Sequence, residues 1–321
     1  MNTTLNNNTL KKEKLNSGLA LPKVTEAIVR PILFAAAVTA VIIIILIGFF
    51  ILQKGWPVLS TYGLWNMISG TVWQPTKELY GILPMITGTF YITFIALVIG
   101  IPFGLATAIY LAEIAGSKTA ALIRPAIELL AAIPSVIYGL FGMVVINALM
   151  RHLQRGLLSG ILPPDYQLGY SVLSGGIVLS IMILPTIINI VEDALKAVPH
   201  TYKEAAFALG STHIQTIFKV LIPAAKSGIV SAVMLAMGRA IGETMALIMV
   251  IGNVTALPEH GLLSLFAPSS SLTATIALEM GYAGPEHQAA LFAVGIVLFG
   301  IIALLNAFVI VFTRRGGQQQ L

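Results

Sequence analysis

The sequence predicts an all-α integral membrane protein with six transmembrane helices and both termini in the cytoplasm. Three observations carry that expectation. Of the 321 residues, 57% are hydrophobic and only 10% charged, against about 25% charged in an ordinary soluble domain. Six apolar stretches are each long enough to cross a bilayer core of about 30 Å, which takes about 20 helical residues. Lysine and arginine are also unevenly shared among the connecting segments. With the N-terminus inside, thirteen fall on inside segments and four, Lys54, Lys77, Arg151 and Arg155, on outside loops, the bias that orients helices in membranes.

The chain opens with a polar tail, 1–30, that includes Asn6, Asn7, Asn8, Lys11, Lys12 and Lys14. Such a segment buries too little apolar surface to offset the entropy of ordering, so it reads as a disordered cytoplasmic tail. The first apolar stretch, Ile32 to Leu52, is longer than a signal-peptide core and lacks a small-residue cleavage pattern, which makes it a retained anchor. With the outside loop behind it, it forms a segment 31–79. All three tryptophans, Trp56, Trp65 and Trp73, fall in that loop, where interfacial anchoring is preferred to a ligand cage. The stretches Ile82 to Leu111, Ile123 to Met150, Tyr170 to Val191, Ile229 to Ile251 and Ala289 to Phe312 make a five-helix core, 80–313. A short cytoplasmic tail, 314–321, follows with Arg314 and Arg315.

Pro102, Pro134 and Pro185 lie inside predicted spans, and glycines pair at Gly100 with Gly104 and at Gly238 with Gly242. Proline frees backbone groups that neighbouring helices must satisfy, and small residues four apart let helices approach closely. The pattern fits a transporter or channel, and equally ordinary helix packing. With no cysteine, disulfides and thiolate metal sites are excluded. The nearest thing to a phosphate-binding loop, "AGSKT" at Ala115 to Thr119, lacks the required glycines, so the chain has no such ATP site. Zinc-ligand spacings, a nucleophile elbow and paired carboxylates in a soluble cleft are missing, which argues against an enzyme. No basic groove with interleaved aromatics supports a nucleic-acid partner.

The most informative soluble segment is the inside loop 196–226, with "HTYKEAAFALGSTHIQTIFKVLIPAAKSG". Thr201 with Glu204 reads as a capping box, Gly210 as a left-handed stop, and Thr212 with Gln215 as a second capping box. Pro223 lies where the second helix ends or bends. Two short helices joined at a glycine are expected. The first presents Ala205, Ala208 and Leu209 on one face, too small to fold alone and suited to a groove on a partner.

Here the chain resembles a known family. "EAAFALGSTHIQTIFKVLIP" is similar to the EAA loop of ABC-importer permeases, with Glu204, Ala205, Ala206, Gly210, Val220, Ile222 and Pro223 at the matching positions. The resemblance implies a coupling helix pair that docks into a cytoplasmic ATPase. "GTVWQP", "YGILPMITGTFYIT", "ELLAAIPSVIYGLFG", "GRAIGETMAL" and "SLTATIALEMG" resemble the PstC family of permease subunits from phosphate-specific ABC importers. That resemblance implies a MetI-like type I importer fold in a bacterial inner membrane and a second, PstA-like permease subunit. It also implies a PstB-like ATPase dimer that carries the ATP and magnesium, and a PstS-like phosphate-binding protein outside. The chain itself would carry no cofactor.

Within "MGRAIGETMAL" an arginine and a glutamate interrupt an apolar span. On a continuous helix Arg239 and Glu243 would lie about 6 Å apart along the axis and about 40° apart around it, sharing a face. A charge at mid-bilayer costs about 2.5 to 3.5 kcal/mol on insertion scales, so such residues face the interior or a water-filled path. One reading pairs Arg239 with Glu243, or with Glu128, to settle a buried charge. The other sets the guanidinium fork on the substrate path as the contact for an oxyanion, with Glu243 sharing the arginine when the path is empty. Phosphonate, sulfate or molybdate would suit the same fork as phosphate, and a secondary transporter using the pair as an ion relay is a further reading. In the outside loop, Ser269, Ser270 and Ser271 are expected to cap a short helix from Thr273 toward Met280. That helix serves either as a docking surface for a binding protein or as a re-entrant packing segment.

Overall fold

The computed structural model describes the backbone of residues 23–257 and 261–317, and the side chains of 29–257 and 261–307. Most of the expected N-terminal tail, and the side chains of Arg314 and Arg315, lie outside the described residues. The chain divides into two compact units, Met1–Gln53 and Lys54–Leu321. Helix α1, Lys23–Val58, begins inside the segment predicted as tail and runs through the unbroken apolar sequence that follows.

In the second unit a short helix α2, Leu64–Ser69, leads to a two-residue antiparallel hairpin. Its strands β1, Trp73–Gln74, and β2, Leu79–Tyr80, set Trp73 opposite Tyr80. Trp73 is thereby not an interfacial anchor. It is buried, its indole N–H donates to Glu279 Oε2 at 2.9 Å, and its ring meets Tyr80 edge-on at 5.8 Å. Trp56 and Trp65 stay exposed, as an anchoring role requires.

Helix α3, Leu83–Ile109, continues as a π-helical stretch to Ile114. It packs along α7, Val172–Lys196, whose first turn is capped by the Ser171 side chain accepting from the Ser174 N–H. The Gly100 and Gly104 pair does what its spacing predicts. A Cβ on Gly104 would come within 2.7 Å of Ile187, so the two helices meet where only glycine fits. Ile92, Ala96, Leu179, Ile183 and Ile187 centre the larger apolar core, while Met67, Trp73, Met85, Leu272 and Leu291 centre a second.

Two predicted spans differ from the structure. The third is not Ile123 to Met150. Ser117–Ala132 forms a separate helix, α4, and the apolar crossing is Ser135–Arg155, comprising α5, Ser135–Phe141, a π-helical turn, and α6, Asn147–Arg155. Pro134 is the reason. Its ring disfavours the helical region for the preceding residue, and Ile133 is extended with ψ 125°. The fifth, Ile229 to Ile251, is broken into α11, Lys226–Gly242, and α12, Met245–Val250.

Between α7 and α11 the hairpin folds as α8, His200–Ala208, α9, His213–Thr216, a π-helical turn, and α10, Ile222–Ala224. Helices α13, Leu272–Glu279, and α14, Pro285–Gly317, complete the described chain. Among the described residues five helices are long and apolar enough to cross a membrane. The segment His213–Ala224 with Lys226–Gly242, bent by 70° at its break, makes a sixth if taken as one span.

Candidate functional site

The charged pair does not share a helical face. Helix α11 ends at Gly242, and Glu243 is extended, with φ −69° and ψ 133°. Two bonds hold it there: its Oε1 accepts from the Ala246 N–H at 3.0 Å, capping α12, and its carbonyl accepts from Thr273 Oγ1 at 2.7 Å. The glutamate thus satisfies an orphan N–H at the start of the next helix, which makes the break a stable conformation.

Arg239 stands in the last turn of α11, where the helix dipole favours a cation. It is exposed, and its Nη1 lies 3.4 Å from Thr186 Oγ1 of α7. Among the described residues no ion pair joins it to Glu243 or to Glu128, and Glu128 is exposed on α4. Among the described residues no carboxylate forms an ion pair with the guanidinium. Thr186, which sequence reasoning missed, carried no signal beyond being a threonine beside Pro185.

Gly139 explains how α5 reaches this region. A Cβ there would lie 3.0 Å from Ala246 Cα and 2.8 Å from Met249 Sδ, so α5 and α12 touch backbone to backbone. Gly238 and Gly242 behave in the opposite way, since a Cβ on either meets nothing within 4 Å. Among the described residues that face of α11 is open.

The serine-rich loop caps a helix as predicted, with Ser271 Oγ accepting from the Ala274 N–H at 3.1 Å. It is a packing segment. Ser269, Ser270, Ser271 and Leu272 are buried, the Leu272 N–H donates to Thr89 Oγ1 of α3, and Ser269 pairs with Ile251.

In the hairpin, the Thr212 and Gln215 capping box forms with both reciprocal bonds. The Thr201 and Glu204 box does not, because α8 starts at His200 behind Pro199 and both residues lie within the helix. Proline's fixed φ suits the start of a helix, and it moves the boundary ahead of Thr201. Gly210, at φ +81°, ends the helix in a Schellman pattern, with its N–H to Phe207 O and the Ser211 N–H to Ala206 O. Of the motif residues, Ala206 is buried, whereas Glu204, Ala205, Gly210 and Pro223 are exposed. Thr201, Tyr202, Ala205, Leu209 and Val220 line an open apolar hollow of about 430 Å³.

A family model for the inner membrane component of binding-protein-dependent transport systems matches residues 100–316. The phosphate transport system permease protein PstC of Pasteurella multocida is 39% identical over 78% of this chain and 79% of its own length. PstC of Mesorhizobium japonicum is 36% identical over 88% of each chain. A probable ABC transporter permease of Bacillus subtilis, YqgH, is 42% identical over 70% of each. Among solved structures, a chain of the bacterial alginate ABC importer is similar in fold, with a TM-score of 0.59, 16% identity, and coverage of 91% of this chain and 99% of that one. A chain of the MetNI methionine ABC transporter gives a TM-score of 0.56 at 21% identity over 76% of this chain and 99% of that one. The multi-pass helical chain described above belongs to the family of binding-protein-dependent transport system inner membrane components, with PstC permeases among its relatives.

Proposed function

We propose that the chain is one permease subunit of an ATP-driven importer of inorganic phosphate in a bacterial inner membrane. Its substrate path would pass Arg239. The observation that carries this reading is an exposed guanidinium, with no carboxylate partner among the described residues, at the break of an apolar helix, in a chain whose relatives are phosphate permeases. A desolvated phosphate finds in the planar fork a geometry matched to its oxygens. Glu243, engaged with Ala246 in this conformation, leaves the arginine available. In another state of the cycle its carboxylate takes the arginine and releases the anion, since conduction requires a site weak enough to leave.

The chain performs no chemistry and holds no cofactor; ATP and magnesium sit on a separate PstB-like ATPase dimer. The exposed face of α8 with Glu204, Ala205 and Leu209, together with Gly210 and Pro223, docks there. A PstA-like companion permease covers the open Gly238 and Gly242 face, and a PstS-like protein delivers phosphate from outside. Both termini and the hairpin lie in the cytoplasm, in keeping with the lysine and arginine bias.

The test is uptake of labelled phosphate by vesicles holding the assembled complex, wild type against Arg239→Gln, with assembly and ATPase activity checked in both. Uptake lost with the other two intact supports the reading. Uptake retained makes the arginine structural. Competition by sulfate, molybdate and phosphonate separates phosphate from other oxyanions.

A further inference from the structure

The coupling hairpin is tied to the membrane bundle by a carboxylate that neither the substrate path nor the EAA pattern includes. Glu113 lies in the π-helical end of α3 with its side chain only 8% exposed. Its Oε2 forms an ion pair with Lys203 Nζ of α8 and lies 3.8 Å from His213 Nε2, the first residue of α9. One carboxylate therefore faces a basic group from each helix of the hairpin. Phe207 of α8 and His213 also meet ring to ring at 6.3 Å, a second contact between the two helices beside Glu113.

Apolar contact alone would let the hairpin slide. Ala206, Thr216, Ile217 and Leu221 of the hairpin are buried against the bundle by apolar and small side chains. Parting the ion pair of a nearly buried carboxylate leaves a charge stranded in a poorly solvated site. Beside it lies a cavity of about 150 Å³, lined by Glu113, Lys203, Leu195 and Leu221 among others. Helix α3 then leads to the broken helix. Thr89 near its start accepts from the Leu272 N–H of α13, and Thr273 of α13 donates to the Glu243 carbonyl.

We propose that Glu113 is the positioning residue through which movement of the coupling hairpin is delivered to α3, and by way of α13 to the Arg239 and Glu243 break. This rests on the reading of the hairpin as the ATPase contact. Glu113 acts through Lys203 and His213 and touches neither nucleotide nor substrate.

The experiment reconstitutes the whole complex in proteoliposomes and measures labelled phosphate imported per ATP hydrolysed. Glu113→Lys and Lys203→Glu are each expected to assemble and hydrolyse ATP while import per ATP falls about tenfold, within the range of one coupling interaction. The double exchange, Glu113→Lys with Lys203→Glu, is expected to recover most of the ratio, which a merely structural role would not require. Wild-type ratios in both assembled single variants, or an assembled double exchange as uncoupled as the singles, would overturn the proposal. Should neither single variant assemble, the double exchange decides: assembly with coupled import supports the tether, and any other result removes it. A wild-type complex whose import proceeds without ATP hydrolysis would instead remove the reading of the hairpin itself.

Discussion

At the scale of single residues, Glu243 caps α12 through the Ala246 N–H, and substitution can separate that bond from the role proposed for its charge. Glu243→Gln keeps an oxygen for the Ala246 N–H and removes the charge, so it is expected to leave thermal stability unchanged while lowering phosphate uptake. Glu243→Ala removes the cap as well and is expected to cost about 1 kcal/mol, read as a lower melting temperature of the purified complex. Unchanged uptake in Glu243→Gln at every phosphate level would end the idea that its charge governs release. Tyr80, outside the spans, makes a second residue-scale prediction. Burial, with the nearby Glu286 and Glu78 carboxylates adding, holds its hydroxyl above the usual tyrosine range. The stability linked to it is full below the ordinary tyrosine value of about 10 and is lost as pH rises through the folded value, because the unfolded chain gives up its proton first. Phenolate absorbance should show one fewer late-titrating tyrosine in folded Tyr80→Phe than in the folded wild type.

At the scale of elements, the hairpin and the serine loop depend on glycines for different reasons. Gly210→Ala forces a side chain into the left-handed region in otherwise open space, a cost of about 1 to 2 kcal/mol. It should raise proteolysis of the loop between α8 and α9. Gly88→Ala is a packing fault, since the new Cβ would lie 2.1 Å from the Ser270 carbonyl. Overpacking of that kind costs about 1 to 3 kcal/mol. It is expected to displace the Ser269 to Ser271 segment and lower the melting temperature. The element pattern was readable where one local rule governs, as in the Thr212 and Gln215 box. It misled where rules compete: Thr201 and Glu204 satisfy the spacing of a capping box, but Pro199 starts the helix before them.

At the scale of the whole molecule, the open face at Gly238 and Gly242 contrasts with the filled one at Gly100 and Gly104, although the spacing is the same. Gly242→Leu is expected to leave the helical content of the isolated chain intact and to reduce co-purification with the companion permease. Vanadate should abolish uptake by the complex, whereas insensitivity would favour a secondary transporter. What the sequence determined by itself is the membrane class, most spans and the left-handed stop at Gly210, because apolar length, charge bias and local backbone chemistry need no distant partner. Only the tertiary structure decided that Ile123 to Met150 is not one span, that Trp73 is buried on Glu279, that Glu243 leaves the helix, that Thr186 lies beside Arg239 and that Glu113 lies beside Lys203. Each of these depends on which side chains another element brings within bonding distance. Glu243 shows the reason most directly: spacing on an ideal helix predicted a pair, but Ala246 and Thr273 offered its carboxylate and carbonyl better partners once the helix broke.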